Sequence, residues 1–391
     1  MERAHTRGQP TALDALGAML RSSVPHALLL VGPPGVGKAT LALDLAAALL
    51  CTAPDPAARP CRDCRGCRMV ESGNHPDLHR LVPEGPGDQI RIGGVENPRG
   101  IRDLTGELAL LPVEGGRRVA IIERAHRMND LAQAALLKTL EEPPPETVIV
   151  LCADDEERLL PTIRSRAARI RLGPVSIRDI ESLLSDLEAT DPPTGARLAR
   201  IASGRPGLAL ALARAPGVAA TRGEIARSLL DLLGARPAER LSRIRELHAQ
   251  ALDAVRTLDR AIAPVEAAPQ RPSDVAPESD GGGSDAENDG PGSGATRRIP
   301  AADRRRAAAL VFEVWRDLTR DLIVAHDRRT PGHDPTMMDE LAAAAAAVPV
   351  GAAGAFLGRL ARAGELLELN IAPELLLDGL VLRWPLAGVR G

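Results

Sequence analysis

The run GPPGVGKAT, Gly32 to Thr40, follows the apolar segment PHALLLV and carries most of a phosphate-binding loop. Gly32, Gly37 and Lys38 stand where such a loop places its glycines and its lysine, with Pro33, Pro34, Gly35 and Val36 between them. In that arrangement the backbone N–H groups of the turn, the start of a following helix and the lysine ammonium converge on phosphate oxygens. The next position, which usually offers a magnesium-binding hydroxyl, is Ala39. Thr40 is no substitute, because one residue turns a side chain by about 100° around a helix. Weak metal binding is expected. A hydrolytic site of this kind also needs carboxylates at the end of an apolar strand, one for the metal and one to activate water. In VAIIERAHRMN, Glu123 takes the first place and Arg124 the second, and a guanidinium cannot serve as a general base. The two departures predict a loop that binds phosphates without efficient turnover. The alternative for Glu123 and Arg124 is an ordinary ion pair at a strand end.

The second cluster is Cys51, Cys61, Cys64 and Cys67, spaced C-x9-C-x2-C-x2-C. Four thiolates at these intervals can close tetrahedrally on Zn²⁺, and a closed four-sulfur site is structural because no position is left for substrate. An iron–sulfur cluster and unliganded thiols are the competing readings. His75 and His79 are expected to be surface or hydrogen-bonded residues rather than ligands. Cys152 lies in an apolar run and reads as core.

Positioning these groups requires particular elements. A helix is expected near 11–24, a buried strand at 27–31 and a helix at 40–50, so that the loop has the strand–loop–helix setting its chemistry demands. Further strands are expected at 119–122, 147–151 and 168–172; short apolar strands alternating with helices predict a mostly parallel sheet. Asn129 can cap a helix in which Leu131, Ala134, Ala135, Leu137 and Lys138 fall at helical spacing, and the prolines from Pro143 stop it. A small helical unit is expected at 176–216 and more helix at about 221–263. The stretch from about 264 to 300, rich in Pro, Gly, Ser and acids, has little to bury and is expected to be disordered. Helix resumes near Ala301.

Composition excludes several classes. The 391 residues contain no Tyr, two Trp and two Phe, and Phe312, Trp315, Phe356 and Trp384 all lie late in the chain. The rest must pack on Leu, Ile, Val and Ala, and it offers no aromatic platform for single-stranded nucleic acid. Lys+Arg 49 against Asp+Glu 52 argues against a DNA-coating protein. No stretch has convincing membrane character and MERAHTRGQP lacks a signal-peptide core, so a cytoplasmic location is expected.

Together, GPPGVGK, the four-Cys insertion, HPD at His75 to Asp77, VAIIERAHRMN, AALLKTLEEPPPETVIVLCADD and PTIRSRAARI resemble the bacterial DNA polymerase III clamp-loader family of AAA+ proteins. GRPGLAL at Gly204 to Leu210 and LNIAPELLLDGLVLRW near the end are weaker echoes. The resemblance implies an α/β AAA+ domain at 1–174 with a four-cysteine zinc module at 51–67, a small helical lid domain at 175–216, and a helical collar domain at 217–391 interrupted by the acidic linker. In this family the arginine of an S-R-C motif reaches the nucleotide of a neighbouring subunit; the match is Ser165-Arg166, with Ala167 in the Cys place. A solvated arginine is the bland alternative. The motor branch, gamma/tau, carries a polar sensor after a strand, where this chain has Ala153-Asp154, and a sensor arginine where it has Gly207, with Arg205 close by. The resemblance thus favours the delta-prime branch, a stator that lends an arginine finger without hydrolysing ATP. It implies structural zinc, ATP or ADP binding without turnover, gamma/tau and delta subunits, a sliding clamp and primed DNA as partners, and a replisome at the nucleoid. An active gamma/tau-type ATPase and a zinc-bearing nucleic-acid adaptor are the rival readings. Leu375 to Leu377 and Leu380 to Leu382 are expected to be buried in collar packing. Arg304, Arg305 and Arg306 are expected to form a solvated face or to pair with the acidic linker.

Overall fold

Strands β1 (Ala27–Val31), β3 (Arg118–Ile122) and β4 (Thr147–Ala153) are buried at every position, as continuous apolar runs covered on both faces must be. With β2 (Leu78–Leu81) and β5 (Ala168–Arg171) they form one sheet in the order β2-β3-β4-β1-β5, each neighbouring pair parallel. The computed structural model describes residues 1, 3–84, 88–94, 99–114, 116–262, 299–326, 332–369 and 371–385. The acidic stretch expected to be disordered lies outside them, apart from its last two positions.

Alternation along the strands divides the core. Leu28, Leu30, Val119, Ile121, Val150 and Cys152 face helices α1 (Pro10–Arg21) and α2 (Lys38–Leu49), whose Leu16, Leu41 and Leu45 are fully buried. Helix α3 (Arg65–Glu71) starts within the cysteine cluster, with Cys64 at its N-cap and Cys67 in its first turn. On the other face, Leu29, Ala120, Ile122 and Leu151 meet α4 (Ile101–Leu108), α5 (Asp130–Glu141) and the short α6 (Pro161–Arg164). Asn129 caps α5 by accepting from the Ala132 N–H. The buried stripe of α5 differs from the expected one. Ala132, Gln133, Leu136 and Leu140 point inward, and Leu131 is 65% exposed.

The second half is helical: α7 (Ile177–Asp186), α8 (Pro192–Ala202), α9 (Pro206–Arg214), α10 (Pro216–Asp231), α11 (Pro237–Ile262), α12 (Ala301–Ala325), α13 (Met338–Ala347), α14 (Val350–Glu368) and α15 (Pro373–Val381). Five of these start on proline, whose fixed φ suits a first turn and whose missing N–H would have no helical partner there. The helix expected over 221–263 is accordingly two, interrupted before Pro237. One hydrophobic cluster runs from Val175 to Trp384 through all of them. At its centre Trp315, Phe356 and Trp384 pack at steep angles to one another, with ring centroids 4.6 to 5.4 Å apart. Leu377, Leu380 and Val381 join this core, whereas Leu375 and Leu382, expected inside, are 68% and 49% exposed.

A partly buried ionic knot ties the N-cap of α9 to α10 and α12. Glu313 lies 2.7 Å from Arg205 and 2.9 Å from Arg222, and Asp317 lies 3.6 Å from Arg222. Burial would raise the Glu313 carboxyl, but the two arginines outweigh it and hold it below its ordinary value. Asp317 is raised, by burial and by the Glu313 charge. Arg304 meets Glu374 and Arg306 meets Asp303, partners within the helical half. Among the described residues no single helix is long and apolar enough to cross a membrane.

Candidate functional site

The loop between β1 and α2 has the backbone its glycines permit. Gly35 and Gly37 take φ of 78° and 103°, and a Cβ on Gly32 would lie 2.3 Å from the Leu172 carbonyl oxygen. Gln9 braces the loop from behind: its amide donates to the Val36 and Gly173 carbonyls at 3.3 and 2.7 Å, and the Gly173 N–H donates back. Ala39 is half-buried and Thr40 exposed, so no hydroxyl replaces the missing one. Lys38 begins α2 and is only 7% exposed. Its ammonium donates to the Gly32 and Pro33 carbonyls at 2.6 and 2.7 Å and sits 2.6 Å from Asp154 Oδ1. That makes three acceptors for three donors.

Asp154 follows β4, the parallel neighbour of β1, so the two strands deliver it and the loop to the same end of the sheet. Its N–H donates to His126 Nδ1 at 3.1 Å, and its Oδ2 is 3.6 Å from His126 Nε2. Burial, aided by Arg127, Arg158 and Arg124, lowers the His126 pKa to about 4 despite the nearby aspartate, so the imidazole is neutral near pH 7. Beside Pro34, His126 and Asp154 opens a cleft of about 580 Å³, walled on the far side by Arg305, Arg316 and Leu360 of α12 and α14.

Glu123 and Arg124 are both in ion pairs. Glu123 binds Arg80 of β2, with Arg80 Nε donating at 3.1 Å. Arg124 has a left-handed backbone, φ 49°, and reaches Asp88 at 2.7 Å. Arg205 approaches the loop only with its stem, near Gly35, while its guanidinium is committed to Glu313. Gly207 closes the contact by donating its N–H to the Gly35 carbonyl at 3.3 Å.

Arg166 occupies the turn between α6 and β5, the edge strand of the sheet. It is 35% exposed, donates to the Thr162 carbonyl at 3.0 Å and lies 2.7 Å from Glu141. Ala167 packs partly buried against the core beneath.

The four cysteine sulfurs lie within 4.8 Å of one another, with Cys51 and Cys64 3.8 Å apart. Thiolates about 2.3 Å from a tetrahedral Zn²⁺ stand about 3.8 Å from each other, so the set fits a metal of that type. Backbone N–H groups of Ala53, Cys64 and Cys67 point at Cys51, Cys61 and Cys64 sulfur respectively, each at 3.4 Å, a disposition that favours thiolates. Burial raises the Cys51 and Cys67 thiols. At Cys64 burial also acts upward, but hydrogen bonds from Cys67 and Thr52 outweigh it and bring the thiol to about 6. His75 is buried and accepts from the Asp77 N–H; His79 sits 2.8 Å from Glu107; neither joins the cluster. Cys152 is core, its thiol pushed up by burial.

Two contacts were not read from the sequence. Asp44 of α2, 1% exposed, accepts from the His5 and Thr6 N–H groups and the Thr6 hydroxyl and pairs with Arg62, anchoring the cysteine loop and the first residues to the helix that Lys38 begins. The Lys38–Asp154 pair joins residues far apart in sequence. The available signal was positional: whatever follows β4 must lie beside whatever follows β1.

Residues 8–176 match the family described as DNA polymerase III, delta subunit. The DNA polymerase III subunit delta' of Pseudomonas aeruginosa is 42% identical over 149 residues, 38% of this chain and 43% of that protein. The subunit of the same name in Escherichia coli is 37% identical over 187 residues, 48% of this chain and 54% of that one. The DNA polymerase III subunit gamma/tau of Mycobacterium tuberculosis is 34% identical over 181 residues, 44% of this chain and 28% of its own. The chain spans about half the length of the delta' relatives it matches.

Proposed function

The chain belongs to the DNA polymerase III delta-prime/gamma-tau family, AAA+ clamp-loader relatives, and we propose that it serves as the stator of a clamp loader, lending Arg166 to the nucleotide site of a neighbouring ATPase subunit. The observation that carries this reading is the placement of Arg166 at an edge of the sheet, partly exposed, with one carboxylate and one carbonyl for company. A guanidinium so placed can be withdrawn from Glu141 at little cost and set against a transferring phosphoryl group in trans. The chain's own site supports the same division of labour. Ala39 offers no metal hydroxyl, Arg124 stands where a carboxylate would activate water, and Lys38 is already neutralised by Asp154. The loop is a place for ATP or ADP to bind without turnover.

In this reading residues 1–174 form the AAA+ domain, 175–216 a lid and 217–391 a collar. Structural Zn²⁺ is held by Cys51, Cys61, Cys64 and Cys67 and braces the AAA+ domain. The exposed Leu375 and Leu382 suit contacts to other collar helices. The partners are gamma/tau and delta subunits, a sliding clamp, and primed DNA met through the assembled complex, in the cytoplasm at the replisome.

The intact glycine geometry of the loop and the gamma/tau relatives favour a second reading, an active ATPase. One experiment separates the two. A loader is reconstituted from this chain and its organism's other subunits, and DNA- and clamp-stimulated ATP hydrolysis is compared for wild type and Arg166→Ala at matched assembly. The stator reading expects hydrolysis at the neighbouring site that Arg166 completes to fall by about 10³-fold or more. An unchanged rate would remove the finger from Arg166.

A further inference from the structure

We infer that Asp154 is a built-in occupant of the phosphate site, a tethered anion that holds Lys38 Nζ and sets how tightly the loop takes a nucleotide. The inference rests on the reading of the Gly32–Lys38 loop as a nucleotide site.

Three observations carry it. The ammonium of Lys38 has all of its hydrogen-bonding capacity spent inside the chain, on the Gly32 and Pro33 carbonyls and on Asp154 Oδ1. The carbonyls are part of the loop, and Asp154 is the only one of the three partners that carries a charge. Asp154 is also fixed from two sides, through its N–H on His126 and through β4 behind it, so the carboxylate does not have to be recruited from solvent. Finally, access is not the obstacle. The lining of the cleft beside Pro34 and Asp154 carries more arginines than carboxylates, a setting that favours anions.

A β- or γ-phosphate that binds Lys38 must therefore displace the Asp154 carboxylate, and then lies close to it as a like charge. Nucleotides with two or three phosphates bear this cost. A nucleoside monophosphate, whose single phosphate does not reach the lysine, bears little of it. Asp154 is a residue that determines occupancy and phosphate-number preference, with no role assigned in bond breaking.

The test uses the full chain and a fluorescent ADP analogue, displaced by unlabelled ATP, ADP and AMP, in magnesium and in EDTA. Wild type is compared with Asp154→Asn, which keeps size and hydrogen bonding, with Asp154→Ser as a second variant, with Lys38→Ala, and with Asp154→Asn/Lys38→Ala. Circular dichroism checks that each is folded. Asp154→Asn and Asp154→Ser should tighten ATP and ADP by about tenfold or more, in magnesium and in EDTA alike, as expected when a charge-assisted competitor is removed. AMP should change little, and the gain should vanish when Lys38 is also absent. Equal or weaker ATP binding by the folded Asp154 variants would overturn the inference while leaving the nucleotide site standing. Weakening confined to magnesium would overturn it in favour of a carboxylate that holds the metal. No nucleotide binding by any variant at millimolar concentration would sink the nucleotide-site reading itself, and the inference with it.

Discussion

Lys38 and Arg166 are both cations at the margins of the same sheet, and their settings are opposite. Lys38 is enclosed, 7% exposed, with two carbonyls and a carboxylate around its ammonium. Arg166 is 35% exposed and held by one carboxylate that is itself half in water. An enclosed and satisfied cation is costly to redirect toward a ligand, whereas a surface pair exchanges partners with little loss. The contrast fits the proposed division of labour, in which the exchangeable charge lies at the sheet edge and the loop's own cation is already satisfied.

The largest effect tests the contrast directly. In one reconstituted complex, Arg166→Ala should lower hydrolysis at the neighbouring site by about 10³-fold or more, while Lys38→Ala in this chain should change the total rate by about twofold or less. Equal losses from both variants would erase the distinction. Next in size is removal of the metal proposed for the four cysteines. Chelation, or Cys64→Ala, should destabilise the α/β half by several kcal/mol, on the order expected when metal-binding energy is folding energy. Differential scanning calorimetry would register this as an earlier transition for that half, with the helical half unmoved. Identical unfolding after verified metal loss would show that the cysteine loop braces nothing.

Third comes pH. His126 has a folded pKa of about 4 against an ordinary 6.5. As pH falls below 6.5 the unfolded chain takes up a proton that the folded chain refuses until about pH 4, so stability is lost across that window and levels off below it. The loss attributable to this side chain should be on the order of 2–3 kcal/mol. Urea unfolding of His126→Gln between pH 7 and pH 4 should show a correspondingly flatter profile; the same slope as wild type would place the pH sensitivity elsewhere. The smallest effect is expected from Glu141→Ala. It removes an exposed pair worth about 0–1 kcal/mol, so neither thermal stability nor the hydrolysis rate of the complex should move much. A large fall in rate would mean that Arg166 needs Glu141 to aim it.

Much of the α/β half could be read from the chain because its strands are apolar throughout and its turns are marked by Gly and Pro. Strand β1 falls where expected, residue for residue, and β3, β4 and β5 within two residues at each end. Strand β2, LHRL, went unanticipated because only its outer leucines are buried, while His79 and Arg80 face side-chain partners at a sheet edge. On α5 the spacing of Leu131, Ala134 and Ala135 is helical, but spacing alone does not say which stripe meets the sheet, and Leu131 faces outward. The cysteine set was legible because its spacing is itself the constraint. Lys38–Asp154, Asp44–Arg62 and the Arg205–Glu313–Arg222 knot were not, since each depends on which elements become neighbours in space.

The packing of Trp315, Phe356 and Trp384 into one cluster, in a chain with no tyrosine, has a spectroscopic consequence. Both indoles report on the same small volume of the helical half, and the α/β half is optically dark in the near ultraviolet. A change in indole emission on adding a nucleotide would therefore report on the helical half, whose α12 carries Trp315 and also walls the cleft beside the phosphate loop.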